Sequence, residues 1–492
     1  MGSVKETGIK ETDGDQDENL AAAEAVERNG PIFVNWPQPQ ATILFSGELN
    51  GYLEPCGCAG LENQLGGLKR RHTLIKNLRQ QGWPLVALDL GGQVRRFGPQ
   101  ANIKFRFAME SLLQIGYSGV GLGVHDLQLG TDPVLFVLAN LDPENNPLVS
   151  ANVALLGFEY GLSSRYRVLE VGGQCIAVTS VLVTNFQVDM ANNSEVTWID
   201  PVAALDEVAP KMASKGCDWQ VLMVHGDLEE AAKLARLYPQ FQLVASTGGA
   251  EVPPDRIQVI EGTNTRLIEV GHKGMYVIAV GLYGAPENNI LYQRVPLDHR
   301  FTDSPEMQTA LVKYQNELET LGLEGLELAG VGHPRDQFVG SAVCADCHTE
   351  ATEVFEGTPH AHATQTLVDL KPPRHYDPEC LSCHVVGWDP QRFFPYRSGY
   401  FGLRATHHLQ GNGCENCHGP GAAHVAVESG EKEVAQEQQM QLRKNMRLTL
   451  QPAAGEKMGA AEKRCVECHD TDNSPDFDFQ KYWELVKHHG KE

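Results

Sequence analysis

Between residues 40 and 300 the apolar and polar positions fall into two alternating patterns. ATILFSGEL (41–49) and PLVALDLGG (84–92) are short apolar runs that close on glycine and polar residues, as buried strands do. LKRRHTLIKNLRQ (68–80) and KFRFAMESLLQIGY (104–117) carry apolar residues at helical spacing. GVGLGVHDL then reads as a strand and a loop. The alternation continues through DWQVLMVHG (218–226), the helical DLEEAAKLARLYP and FQLVASTGG (241–249). Strands alternating with helices predict a layered α/β fold with a largely parallel or mixed sheet. After residue 256 the pattern is strand-rich: RIQVIEG, TRLIEVG, GMYVIAVGLY and LYQRVPLD are expected as hairpins covering one side. PEMQTALVKYQNELETLGL (305–323) is expected as a helix leading out of this unit.

Beyond Gly340 regular periodicity fades. Gly, Pro and His are frequent and the apolar runs are short, so this region is expected to lack a large side-chain core of its own. The expected division is an acidic flexible tail (1–38), an α/β domain (39–303), a helical linker (304–335) and a C-terminal domain (336–492). A chain of 492 residues is too long for one ordinary core, which agrees with that division.

Charge narrows the partners. The formal net charge of -23 argues against a nucleic-acid groove or an anionic membrane surface. No run of eighteen apolar residues is present to span a bilayer. Residues 1–30 hold eight acidic and three basic side chains and no apolar segment of the signal-peptide kind. The leading Met-Gly-Ser reads as the remnant of a trimmed start.

The cysteines carry the chemistry. Eight of the twelve lie in four CxxCH motifs: CADCH (344–348), CLSCH (380–384), CENCH (414–418) and CVECH (465–469). CxxCH is the attachment signature of c-type haem. Two thiols add across the haem vinyl groups, and the adjacent histidine reaches the iron. The expected attachment residues are therefore Cys344, Cys347, Cys380, Cys383, Cys414, Cys417, Cys465 and Cys468. The expected proximal ligands are His348, His384, His418 and His469. Structural zinc knuckles are the competing reading, but a zinc or redox CxxC needs no histidine after its second cysteine every time. Four covalent haems would supply the core that the short apolar runs do not. Candidate sixth ligands are His360, His362, His375, His407, His408 and His424, with His488 and His489 at the end of the chain.

VGSAVCADCHTEATEVFEGTPHAHA, DPECLSCHVVGWD, GNGCENCHGPG and RCVECHD, over roughly residues 338–492, resemble the tetrahaem cytochrome c554 family. The resemblance implies that His360 crosses to the third haem, His424 to the fourth and His488 to the first. It also implies a mostly helical and irregular tetrahaem cytochrome c domain and an open face on the iron held by His384. A saturated haem passes electrons, whereas an open one can bind a small nitrogen or sulfur compound. C-type haems are attached outside the cytoplasmic membrane, so the location implied is periplasmic or extracytoplasmic, with an export signal or anchor beyond this chain. The implied partners are a redox protein or a neighbouring multihaem chain, with homo-oligomers open.

The order of elements in residues 40–300 resembles the calcineurin-like metallophosphoesterases, especially the 5'-nucleotidase branch. GGLKRR (66–71), GVHD (123–126) and VLMVHG carry the resemblance. Several implied metal ligands are replaced. Glu48 and Asn50 stand in GELNG, Gly92 stands for a bridging Asp, Val124 for an Asn, and STGGA (246–250) supplies no histidine. The His and acid of GVHD survive as His125 and Asp126, and His125, His225 and Asn50 are the candidate ligands that remain. A two-metal hydrolase needs close-set carboxylate and imidazole ligands, so a scaffold for docking or assembly is expected here. A residual hydrolase coupled to the redox module is the alternative.

Four cysteines stay outside the haem motifs. Cys175 and Cys217 each flank a predicted strand; buried free thiols are the preferred reading and a disulfide the alternative. Cys56 and Cys58 follow the altered ligand loop. They read as a strained disulfide, as loop thiols, or as ligands to a soft metal ion together with His125 or His225.

Overall fold

The computed structural model describes residues 24–55, 64–139, 141–183, 194–284, 290–471, 473–474, 476–488 and 490. Two compact units divide the chain between Ala310 and Leu311.

The first unit is built on two main sheets. Its strands are β1 (Ala41–Ser46), β2 (Leu85–Asp89), β3 (Tyr117–Val120), β4 (Val153–Leu155), β5 (Arg167–Val171), β6 (Gln174–Leu182), β7 (Val196–Trp198), β8 (Trp219–His225), β9 (Leu243–Ser246), β10 (Gln258–Val259), β11 (Arg266–Glu269), β12 (Tyr276–Leu282) and β13 (Ile290–Pro296). One sheet runs β13-β12-β1-β2-β3 and the other β10-β11-β9-β8-β6-β5, while β4 and β7 pair separately. β1, β2 and β3 are mutually parallel, as are β6, β8, β9 and β11.

The period-two rule assigns the faces. Ile43 and Phe45 of β1 meet Val221 and Met223 of β8 in the core between the sheets. Leu222 and Val224 of β8 point the other way, against Leu205 and Val208 of helix Pro201–Ala213 and Leu234 of helix Leu228–Leu237. Full burial of each such aliphatic side chain contributes roughly 1.5–3 kcal/mol. Asp200 and Asp227 cap the two helices by accepting from backbone N–H groups of the first turn.

Two expectations change. The strands after residue 256 are not a covering layer. β12 pairs antiparallel with β1 inside the first sheet, and β11 lies parallel to β9 in the second. Every residue of β12 is buried, the mark of an interior strand. Cys175 and Cys217 are not free thiols: they form a disulfide with Cα atoms 4.6 Å apart. The parallel register explains it. Ile176 pairs with Trp219, so Cys175, one residue before the first, and Cys217, two residues before the second, come together at the same sheet end.

The second unit begins within helix Pro305–Gly325 and is mostly short helices and loops. Among its described residues the buried apolar cluster is small, with Leu381, Val385, Val386 and Trp388 packed around the second CxxCH motif.

Candidate functional site

Each CxxCH motif lies on a single helical turn, which gathers two thiols and an imidazole at one place. The turns are Pro378–His384 and Cys414–His418 for the second and third motifs. In the first and fourth, the N–H of His348 donates to Cys344 O and that of His469 to Cys465 O, both at 2.9 Å.

Three of these histidines face a second imidazole from elsewhere in the chain. The ring centroids of His348 and His424 are 6.4 Å apart, with planes inclined by 18°. His360 and His469 are separated by 5.9 Å and inclined by 51°. For His418 and His488 the values are 5.7 Å and 53°. Metal–imidazole bonds of about 2.0 Å on both sides of one ion set ring centroids roughly 6 Å apart, so all three pairs fit an axially ligated iron. The family-implied pairing is corrected. His360 meets the fourth motif rather than the third, His424 the first rather than the fourth, and His488 the third rather than the first. Spacing along a chain gives the candidate residues but not which helices pack together.

Hydrogen bonds orient the rings. His384 Nδ1 lies 2.8 Å from Ala363 O, His418 Nδ1 2.6 Å from Met446 O, His469 Nδ1 2.9 Å from Ser474 Oγ and His488 Nδ1 3.0 Å from Val486 O. Such a bond fixes the tautomer and leaves Nε2 as the metal-facing atom. Burial lowers the pKa of His360, His384, His418, His424 and His469, which keeps their lone pairs available. His407 and His408 are exposed side by side, His362 is exposed, and His375 packs on Tyr376. His489 lies outside the described residues.

Neighbouring motifs also touch. The thiols of Cys344 and Cys414 are close enough to interact, and so are those of Cys383 and Cys468. A cavity of about 380 Å³ is lined by Cys465, Cys468, His469 and His360, with Arg335 and Arg464 at its wall. Thiol pairs, oriented imidazoles and a basic-edged cavity together fit a planar, propionate-bearing haem.

In the first unit the loops after β1, β2 and β8 converge. Glu48 and Asn50 hold left-handed backbone angles, φ 49° and 55°, a conformation few L-residues adopt without local support. Asn50 Nδ2 donates to Glu48 Oε2 at 3.0 Å, and Glu48 Oε1 is 3.5 Å from His225 Nε2. Gly92 has φ 79°, and a Cβ placed there would stand 2.5 Å from Glu48 Oε1. The glutamate's longer arm therefore occupies the room that a side chain at 92 would need. Burial raises the Glu48 carboxyl to about 7, against the lowering effect of Asn50.

Asp126 is a loop clamp. Its oxygens accept from the N–H groups of Gly92, Gln93 and Gly123 at 2.8–2.9 Å and from Val94 at 3.2 Å. Burial pushes its pKa up to about 6 while those backbone bonds pull it down. His125 lies beside the exposed Phe97, with ring centroids 5.9 Å apart and planes inclined by 45°. Beneath this floor Asp89 accepts from Ser46 Oγ at 2.6 Å and Gln93 Nε2 at 2.6 Å, with Arg71 Nη1 3.6 Å away. The strand-end Asp89 and the second Arg of GGLKRR thus form a buried pair, which sequence reading missed because a charge in a strand run gives no sign of its partner. Among the described residues no group of three or more His, Cys, Asp or Glu is arranged to hold a bare metal ion. Cys56 and Cys58 lie outside the described residues, and the soft-metal expectation gains no support.

The comparisons agree with both halves. The model of the family Cytochrome c554 and c-prime matches residues 343–419, which hold the first three CxxCH motifs. Cytochrome c-554 of Nitrosomonas europaea is 33% identical over 97 residues, 17% of this chain and 39% of that protein. Snake venom 5'-nucleotidase of Gloydius brevicauda is 24% identical over 206 residues, 40% of this chain and 34% of that protein. The chain thus spans little more than a third of either relative. The crystal structure of a 5'-nucleotidase precursor from Thermus thermophilus superimposes with TM-score 0.50 at 18% identity, covering 66% of this chain and 68% of that one. The chain joins an N-terminal unit with the fold of the 5'-nucleotidases to a C-terminal region similar to the cytochromes c554, a haem cytochrome by that similarity.

Proposed function

We propose that this protein is an extracytoplasmic multihaem c-type cytochrome that carries electrons through four haems, with its phosphoesterase-like unit serving docking or assembly rather than hydrolysis. The observation that carries the reading is the set of three imidazole pairs, each joining a CxxCH histidine to a second histidine at 5.7–6.4 Å. Haem iron, when bound, supplies reversible one-electron exchange. The chain does the rest. Each thiol pair would tether one haem, the Nδ1 hydrogen bonds aim the Nε2 atoms, and at the first, third and fourth motifs the facing imidazole of His424, His488 or His360 would be the second protein ligand to the iron. The proximity of Cys383 to Cys468, Cys417 to Cys465, and Cys344 to Cys414 supports an order of passage second, fourth, third, first.

The first unit's geometry supports the non-hydrolytic role. Water activation between two ions needs ligands on several loops, and here Gly92, Val124 and residues 246–250 offer no ligand side chain of the expected kind while Glu48 fills the space over Gly92. The Cys175–Cys217 disulfide supports an oxidising compartment. The test is spectroscopic. Holoprotein should contain four haems c per chain and show low-spin ferric signals that cyanide leaves unchanged for the three paired sites. A protein that binds zinc in place of haem, or that hydrolyses phosphoesters with added manganese at enzymatic turnover, would overturn the reading.

A further inference from the structure

Glu415 lies inside the third motif, CENCH, yet its contacts belong to the first. It is 2% exposed. Its carboxylate accepts from Gly340 N at 2.7 Å, from Val339 N at 3.0 and 3.1 Å through its two oxygens, and from Gly421 N at 2.8 Å. Gly340 immediately precedes helix Ser341–Ala345, which carries Cys344 and leads into His348. Gly421 immediately precedes helix Ala422–Glu428, which carries His424. His348 and His424 are the facing pair with the most nearly parallel rings, inclined by 18°. One buried carboxylate therefore holds the starts of both helices that bring this pair together.

Neighbouring bonds run the same way. Ala423 N donates to Asp336 Oδ2 at 2.5 Å and Ala422 N to Gln337 O at 3.2 Å, so segments 336–340 and 421–423 are laced together around Glu415. Asn416, the next residue of the motif, serves a different site. Its Nδ2 donates to Val385 O at 2.9 Å, directly after His384 of the second motif. Charge-assisted bonds to buried backbone N–H groups are strong and directional, and a buried carboxylate with several of them fixes its donors in place.

We propose that Glu415 is a positioning residue for the first haem's axial pair, acting from the third motif, while Asn416 beside it holds the segment directly after His384. This rests on the haem reading of the CxxCH motifs and adds to it an assignment of which side chains set the ring geometry. In Glu415→Gln an amide N–H₂ faces the N–H donors that the carboxylate satisfied, and in Glu415→Asp the reach is too short for both helix starts.

The experiment is low-spin electron paramagnetic resonance on oxidised holoprotein, with haem counted by the pyridine haemochrome method. Wild type without haem would defeat the underlying reading, an outcome distinct from any change in the variants alone. In Glu415→Gln and in Glu415→Asp, the signal of the site with nearly parallel imidazoles should shift or become high-spin while the signals of the other two paired sites persist. Asn416→Ala should leave that signal untouched. An unchanged first-site signal in both Glu415 variants overturns the proposal. Equal loss of all haems in both variants does so too, because it marks a general folding role.

Discussion

At the scale of single residues, Glu48 gives the clearest pH test. Burial raises its pKa from 4.5 to about 7, so the folded state holds a proton that the unfolded state releases at lower pH. Its effect on stability is absent below pH 4.5 and grows unfavourable as pH rises through 7. His225 acts in the opposite sense: burial lowers its pKa, so its contribution is lost as pH falls below the ordinary histidine range. Glu48→Gln removes the first effect alone. Relative to wild type, the variant should gain on the order of 2 kcal/mol between about pH 5 and pH 8 in the first unit's denaturation transition. An equal gap at both pH values would contradict the assignment. Gly92 gives a second test. Gly92→Asp should destabilise by about 1–3 kcal/mol, since it meets both a left-handed backbone and the Glu48 carboxylate. Adding Glu48→Ala should recover part of that loss, and a double-mutant cycle with no coupling would show that the two positions do not compete. The sequence displayed Glu48 and Gly92 where the resemblance implies metal ligands. It did not display that one residue fills the other's space, because that depends on loops from β1 and β2 meeting.

Elements were legible where periodicity was strong. The run 68–80 forms helix Leu68–Gln80 within its expected bounds, and apolar runs at 41–49 and 218–226 hold β1 and β8. Pairing partners were not legible: β12 entered a sheet where a cover was expected, since an all-apolar run carries no label for its neighbour. The same holds for the disulfide, which depends on β6 and β8 being adjacent and in register. It closes a loop with a sequence separation of 42. The chain-entropy relation gives about 4 kcal/mol for such a loop as an upper figure. Cys175→Ser combined with Cys217→Ser should therefore lower the first unit's unfolding free energy by roughly 2–4 kcal/mol, measured by urea titration of oxidised protein. A change below a tenth of that range would mean that the bond constrains nothing the fold does not already hold.

For the whole molecule, eight cysteines and four adjacent histidines carry the haem reading in the sequence itself, because covalent attachment requires that spacing. The identities of His360, His424 and His488 were legible as spare histidines, but their destinations required the packed structure. One unit has the fold of the 5'-nucleotidases, with Glu48 filling the space over Gly92, and the other gathers thiols and imidazoles in neighbouring motifs. The measurement that tests this account most directly is a reductive titration of the purified holoprotein, counting electrons per chain against haem absorbance. The account predicts reversible uptake of four electrons per chain, one for each CxxCH motif. A chain that takes up no electrons, or whose motifs hold zinc, would contradict it.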